Sequence, residues 1–177
     1  MQYTYAAIFL LSLVLIPLYF AFVRKKQSEP WLLVLFACVS MVNLGYTLIA
    51  FSPTVELALL SNKIAYLGQV FVPLCMFMMI SKLCGYKYKN WVTGILLGVA
   101  LAMFALVCTT GYLDWYYVSA TVENVKGATV LQKEYGVLHP TNLIYVIVYF
   151  IAMLAVLCVS LKNARARRKS ALALCWR

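Results

Sequence analysis

Acidic side chains are scarce: five Asp and Glu stand against 15 Lys and Arg in 177 residues. None of the five pairs with another inside an apolar run, so the sequence offers no carboxylate dyad. Histidine is rarer still. His139 is the single example, and without a neighbouring Cys, Asp or Glu cluster it reads as an ordinary interface residue, since a metal site needs several ligands. The six cysteines lie within or at the ends of apolar runs and never form CxxC. They read as small apolar fillers, with no disulfide framework. The patterns GxSxG, HExxH, the P-loop and the Gly-rich nucleotide fingerprint are all missing. No catalytic residue, metal site or cofactor is expected.

What the sequence has instead is apolar length. Hydrophobic residues make up 65% of the chain and charged residues only 11%, more apolar surface than a soluble domain of this size requires. Five runs approach the roughly 20 residues that cross a bilayer. They cover approximately 5–23, 31–51, 56–83, 91–109 and 140–161. The expected fold is an all-α polytopic membrane bundle forming one unit over 1–177. Residues 171–177 read as the stub of a sixth apolar helix, as if a span had been cut short.

The net charge of +10 is compatible with nucleic acid, but its distribution argues against it. Arg24, Lys25 and Lys26 follow the first run; Lys82, Lys87 and Lys89 follow the third; a basic segment over 162–170 follows the fifth. Basic residues in alternate loops are the positive-inside pattern. It predicts an outside N-terminus and a cytoplasmic C-terminal segment, with anionic lipid contact at Lys162–Lys169. The first run lacks a basic n-region and so reads as a retained span.

The third run carries the most informative pattern. At about 100° per residue, Asn62, Tyr66, Gln69 and Pro73 fall within an arc of about 60°, with Lys63 beside it. An amide facing lipid costs several kcal/mol, so this helix is expected at the centre of the bundle. Glu56 and Lys63 lie two turns apart near its outer end, and either snorkel to headgroups or line a cavity mouth. On the second run Ser40, Asn43 and Thr47 share a face suited to interhelical hydrogen bonds, with ligand contact as the alternative. Gly94, Gly98, Ala102 and Ala105 form a small-residue ridge on the fourth run, read as a packing surface.

Residues 111–139 form the one long polar segment. WYYVSATV, ENVKG and ATVLQKEYG read as two strands about a glycine turn, an extracellular β-hairpin between helices 4 and 5. Its aromatics Tyr112, Trp115, Tyr116, Tyr117 and Tyr135 fit an interfacial belt or a lid over the bundle mouth. Asn142, Tyr145 and Tyr149 line one face of the fifth run beyond Pro140. The candidate ligand-binding set is therefore Asn43, Asn62, Lys63, Tyr66, Gln69, Trp115, Tyr116, Asn142, Tyr145 and Tyr149.

The order of these features resembles the N-terminal seven-transmembrane sensory region of bacterial histidine kinases. The residues that carry the resemblance are NLGY at 43–46, KIAYLGQVFVP at 63–73, the basic GYKYKN loop, TTGYLDWYY, and KEYG at 133–136 before a Tyr-rich fifth run. The resemblance implies seven helices, an outside N-terminus, location in the bacterial cytoplasmic membrane and a cytoplasmic output domain. No phosphoacceptor helix or ATP-binding box follows Lys169, so the chain reads as a sensor region without kinase activity of its own. The partners expected are membrane lipids, a small-molecule or peptide ligand from outside, a cytoplasmic signalling domain or partner protein, and a second copy in a homodimer. The alternatives are a small transporter or channel subunit, or a nonfunctional truncated fragment of a receptor kinase.

Overall fold

A computed structural model describes residues 1–23 and 29–175, with side chains described as far as Ala164. Five helices long and apolar enough to cross a membrane account for most of it. Helix α1 (Gln2–Leu18) runs into one π-type turn at Tyr19–Val23, directly after Pro17 withholds its N–H from the ladder. Helix α2 (Pro30–Phe51) starts on a proline, whose fixed φ suits a first helical turn. Helix α3 (Val55–Leu83) begins where the Thr54 hydroxyl accepts from the Leu57 amide. Helix α4 spans Asn90–Cys108, and α5 spans Pro140–Cys175.

The last helix is longer than the sequence reading allowed. Its backbone continues as one helix through the basic segment into 171–175, where a separate sixth helix was expected to begin. NARARRKSALAL is rich in Ala, Leu, Arg and Lys and contains no Gly or Pro, so nothing interrupts the turn. The side chains of Arg165, Arg167, Arg168 and Lys169, all of Arg24–Lys26, and Trp176–Arg177 lie outside the described residues.

Helix α3 is the hub. It packs against α2, α4, α5 and both strands, whereas α1 packs against α2. Half of its span is buried, against 11–22% for the other four. Its closest partner is α2, and two glycines make that approach possible. A Cβ at Gly45 would overlap the Ala65 backbone, and one at Gly68 would overlap the Cys38 carbonyl. The ridge expected on α4 does not serve this purpose: Gly94, Gly98, Ala102 and Ala105 are all exposed. Helix α4 meets the core instead through Leu96, Ala100, Met103 and Val107.

Two antiparallel strands, β1 (Tyr117–Val125) and β2 (Ala128–Tyr135), form the expected hairpin. Lys126 and Gly127 both have positive φ, the backbone that a two-residue turn between right-twisted strands requires. The Asn124 side chain accepts from the Gly127 amide and fixes the turn. At the base, Gly136 crosses against the Trp115 carbonyl where a Cβ would not fit, and its amide donates to the Tyr116 carbonyl at 2.9 Å.

Candidate functional site

Strand β2 lies across the ends of α2 and α3, and its two-residue period decides what it presents to them. Thr129 donates to the Ser52 carbonyl at 2.8 Å. Leu131 packs with Ile49 and Ala58. Lys133, next on the same face, reaches Asn62 of α3, and its Nζ donates to Oδ1 at 2.8 Å. Three successive inward side chains thus fasten one strand to the α2–α3 pair.

The ammonium of Lys133 sits in an aromatic enclosure. It lies 5.2 Å from the Tyr117 ring centroid and 5.8 Å from that of Tyr66, within cation–π range of both. The Tyr117 hydroxyl donates to that of Tyr66 at 3.1 Å. Tyr116 is fully buried and meets the Tyr66 ring edge-on at 5.8 Å. His139 stacks on Tyr135 at 3.9 Å and leans on Tyr116 and Tyr117. Burial raises the phenols of Tyr116 and Tyr117 above their ordinary value. Burial also lowers His139, with Lys133 adding to it.

A second contact joins α5 to α3. The Tyr145 hydroxyl donates to the Val70 carbonyl at 2.9 Å, one residue beyond Gln69, whose carbonyl loses its helical donor to Pro73. Tyr149 packs on Tyr145 and Phe77, and its hydroxyl is buried without a hydrogen-bond partner.

A family model for the N-terminal 7TM region of histidine kinase matches residues 5–176. The chain belongs to that family. It is therefore a multi-pass membrane protein, and its family is a sensory input region, not a catalytic kinase core. The family's description counts seven spans, and the described residues of this 7TM-region protein hold five. No curated protein and no solved structure matches the chain.

Of the candidate residues, the structure brings Asn62, Tyr66 and Tyr116 together under the hairpin. Tyr145 and Tyr149 lie further along the same helix interface, and Asn142 is buried at the start of α5. Gln69 is half-buried with no side-chain hydrogen bond among the described residues. Lys63 stands apart, 4.9 Å over the Tyr112 ring. Trp115 is 57% exposed, and Asn43 is half-buried, its carbonyl accepting from Thr47. The loop aromatics divide: Tyr116 and Tyr117 cover the bundle, while Tyr112, Trp115 and Tyr135 stay exposed as a belt would. Sequence reasoning missed Lys133, which entered it only as part of KEYG. Alternation along ATVLQKEY was the available signal, since it puts Lys133 on the face of Leu131.

A cavity of about 740 Å³ lies at the opposite end beside Trp31, Lys82, Lys87 and Tyr88. Two of its polar side chains have partners. Lys82 pairs with Glu29 at 2.9 Å, and the Tyr88 hydroxyl donates to Ser81.

Burial pushes the Lys133 ammonium down to about 8. In the released hairpin its pKa returns towards about 10.4. The docked state therefore binds fewer protons between these values, and docking strengthens as pH rises from about 8. The gain ends near pH 10, where released tyrosines ionise while Tyr116 and Tyr117 remain protonated. His139, already lowered, stays neutral throughout. The midpoint of hairpin release, followed by Trp115 fluorescence, should rise between about pH 8 and about pH 9.5, and should be flat in Lys133→Met.

Proposed function

We propose that this chain is a signal-input module whose hairpin end faces outside and whose basic end passes the signal to a cytoplasmic partner. The observation that carries this reading is the Lys133–Asn62 contact. It ties the polar hairpin to the helix that packs against α2, α4 and α5. A ligand engaging Tyr66, Tyr116 and Asn62 must compete with or tighten that contact. Because it binds docked and released hairpins with different affinity, it shifts their populations. Helix α3 then carries the shift to Lys82 and the GYKYKN loop at the other end. The location is the bacterial cytoplasmic membrane, with the N-terminus and hairpin on the same, outer side.

The transporter alternative has less support. Among the described residues, the polar stripe on α3 is covered by Lys133, Tyr116, Tyr117 and Tyr145 rather than lining an open path. Orientation is tested at the hairpin tip. Lys126→Cys, on a background without the native cysteines, should label with a membrane-impermeant maleimide in intact cells. Labelling only after the membrane is opened would reverse the assignment and remove the basis for outside sensing.

A further inference from the structure

The chamber under the hairpin holds more hydrogen-bond donors than acceptors. Lys133 offers three N–H groups and the structure satisfies one, at Asn62 Oδ1. The Asn62 amide nitrogen, on a residue only 1% exposed, makes no close hydrogen bond, with the Tyr117 hydroxyl as its polar neighbour. The buried Tyr116 hydroxyl makes none either. No carboxylate pairs with Lys133 among the described residues. Its neighbours on the hairpin are engaged elsewhere: Glu134 accepts from Ser119 and Glu123 from Gln132. A desolvated ammonium beside donors without a close hydrogen bond is an arrangement that an acceptor-only group would complete.

Space is available next to it. Lys133 lines a cavity of about 130 Å³ with Tyr5, Tyr46 and Leu131. That is well under the roughly 300 Å³ at which sites for drug-sized molecules begin, so only a small molecule enters. One uncompensated lysine matches one negative charge. The apolar walls contributed by Ile49, Ala50 and Val130 suit a short hydrocarbon tail better than a strongly hydrated dianion.

We propose that this cavity binds a small monocarboxylate from the hairpin side, its oxygens accepting from Lys133, the one charged side chain in its lining. This names the ligand class of the input site and rests on the signal-input reading above. A carboxylate carries only acceptors, about four lone-pair sites on two oxygens, and so fills the deficit that the chain leaves. Charge-assisted hydrogen bonds of this kind are about twice as strong as neutral ones.

The test uses the whole chain in phosphatidylcholine nanodiscs with sodium acetate as the probe and sodium chloride holding ionic strength constant. Saturation-transfer NMR on the acetate methyl should show saturable binding. Lys133→Met should weaken it by about tenfold or more. Asn62→Asp places a carboxylate on the chain itself beside Lys133, and should abolish acetate binding while leaving the fold at least as stable. That variant keeps the test valid if Lys133→Met fails to fold. The proposal is overturned by the absence of saturable binding, by binding undiminished in Asn62→Asp, or by chloride displacing acetate at equal concentration. Spin labels at the exposed Leu83 and Leu161 read the signalling claim separately. Binding without a distance change upholds the ligand class and counts against signal input. A distance change on hairpin release without acetate binding does the reverse.

Discussion

Gly68→Val should strongly destabilise the bundle, with a loss of about 3 kcal/mol or more, at the upper end of what overpacking costs. A Cβ at this position would overlap the Cys38 carbonyl and crowd the backbone of Val42, and neither can rotate away. Even Gly68→Ala and Gly45→Ala should destabilise, because in each case the obstacle is backbone of the facing helix. Gly94→Ala and Gly98→Ala give the contrast. Nothing lies within 4 Å of a Cβ at either position, so only helix propensity changes, and it favours Ala by about 1 kcal/mol. Thermal unfolding in one detergent should therefore separate the two pairs in opposite directions. Equal behaviour of all four would mean that α2 and α3 are not held as closely as described.

Asn62→Leu should release the hairpin. It takes the one hydrogen-bond acceptor that the described residues give a half-buried ammonium, and losing the partner of a charged group in such a place costs about 1.5–3 kcal/mol. The remaining tethers are weaker: Thr129 on the Ser52 carbonyl, Leu131 on Ile49 and Ala58, and the Tyr117–Tyr66 hydroxyl pair. Tyr117→Phe removes only a neutral hydrogen bond and should cost about 1 kcal/mol. Amide hydrogen exchange distinguishes the cases. In Asn62→Leu the amides of 117–135 should exchange far faster while the α2–α3 core stays protected. Faster exchange through α3 as well would show that Asn62 supports the helix pair and not the hairpin alone.

Both effects were partly legible beforehand. The five spans follow from apolar length, and the central place of α3 follows from the arc shared by Asn62, Tyr66, Gln69 and Pro73, because polar groups at membrane depth must face protein. Two-residue alternation and the Lys126–Gly127 turn likewise mark the hairpin. The short motifs behind the family resemblance acquire a physical meaning in the structure. NLGY, YLGQ and KEYG each contain the glycine at which one backbone passes close to another: Gly45, Gly68 and Gly136. Gly94 and Gly98 look better suited to helix packing on spacing alone, yet they face outward. Spacing tells which residues share a face, and it does not tell which face is covered.

Lys133 shows the other limit. Its partner Asn62 lies 71 positions away, and nothing local in KEYG marks the lysine as inward except its register with Leu131. That register matters only once the strand is known to lie over α2 and α3. Long-range juxtaposition is set by tertiary packing, so the most informative contact in the molecule was also the least visible in its sequence.

The claim that hairpin docking is coupled to the opposite end is tested most directly by one distance. Spin labels at Leu83 and Leu161, both exposed on neighbouring helices away from the hairpin, can be compared between the native chain and Asn62→Leu in nanodiscs. Signal input through α3 predicts a displaced distance distribution, by about 1–2 Å or more, the scale of helix shifts in switching proteins. Superimposable distributions, with hydrogen exchange confirming that the hairpin has been released, would contradict the account.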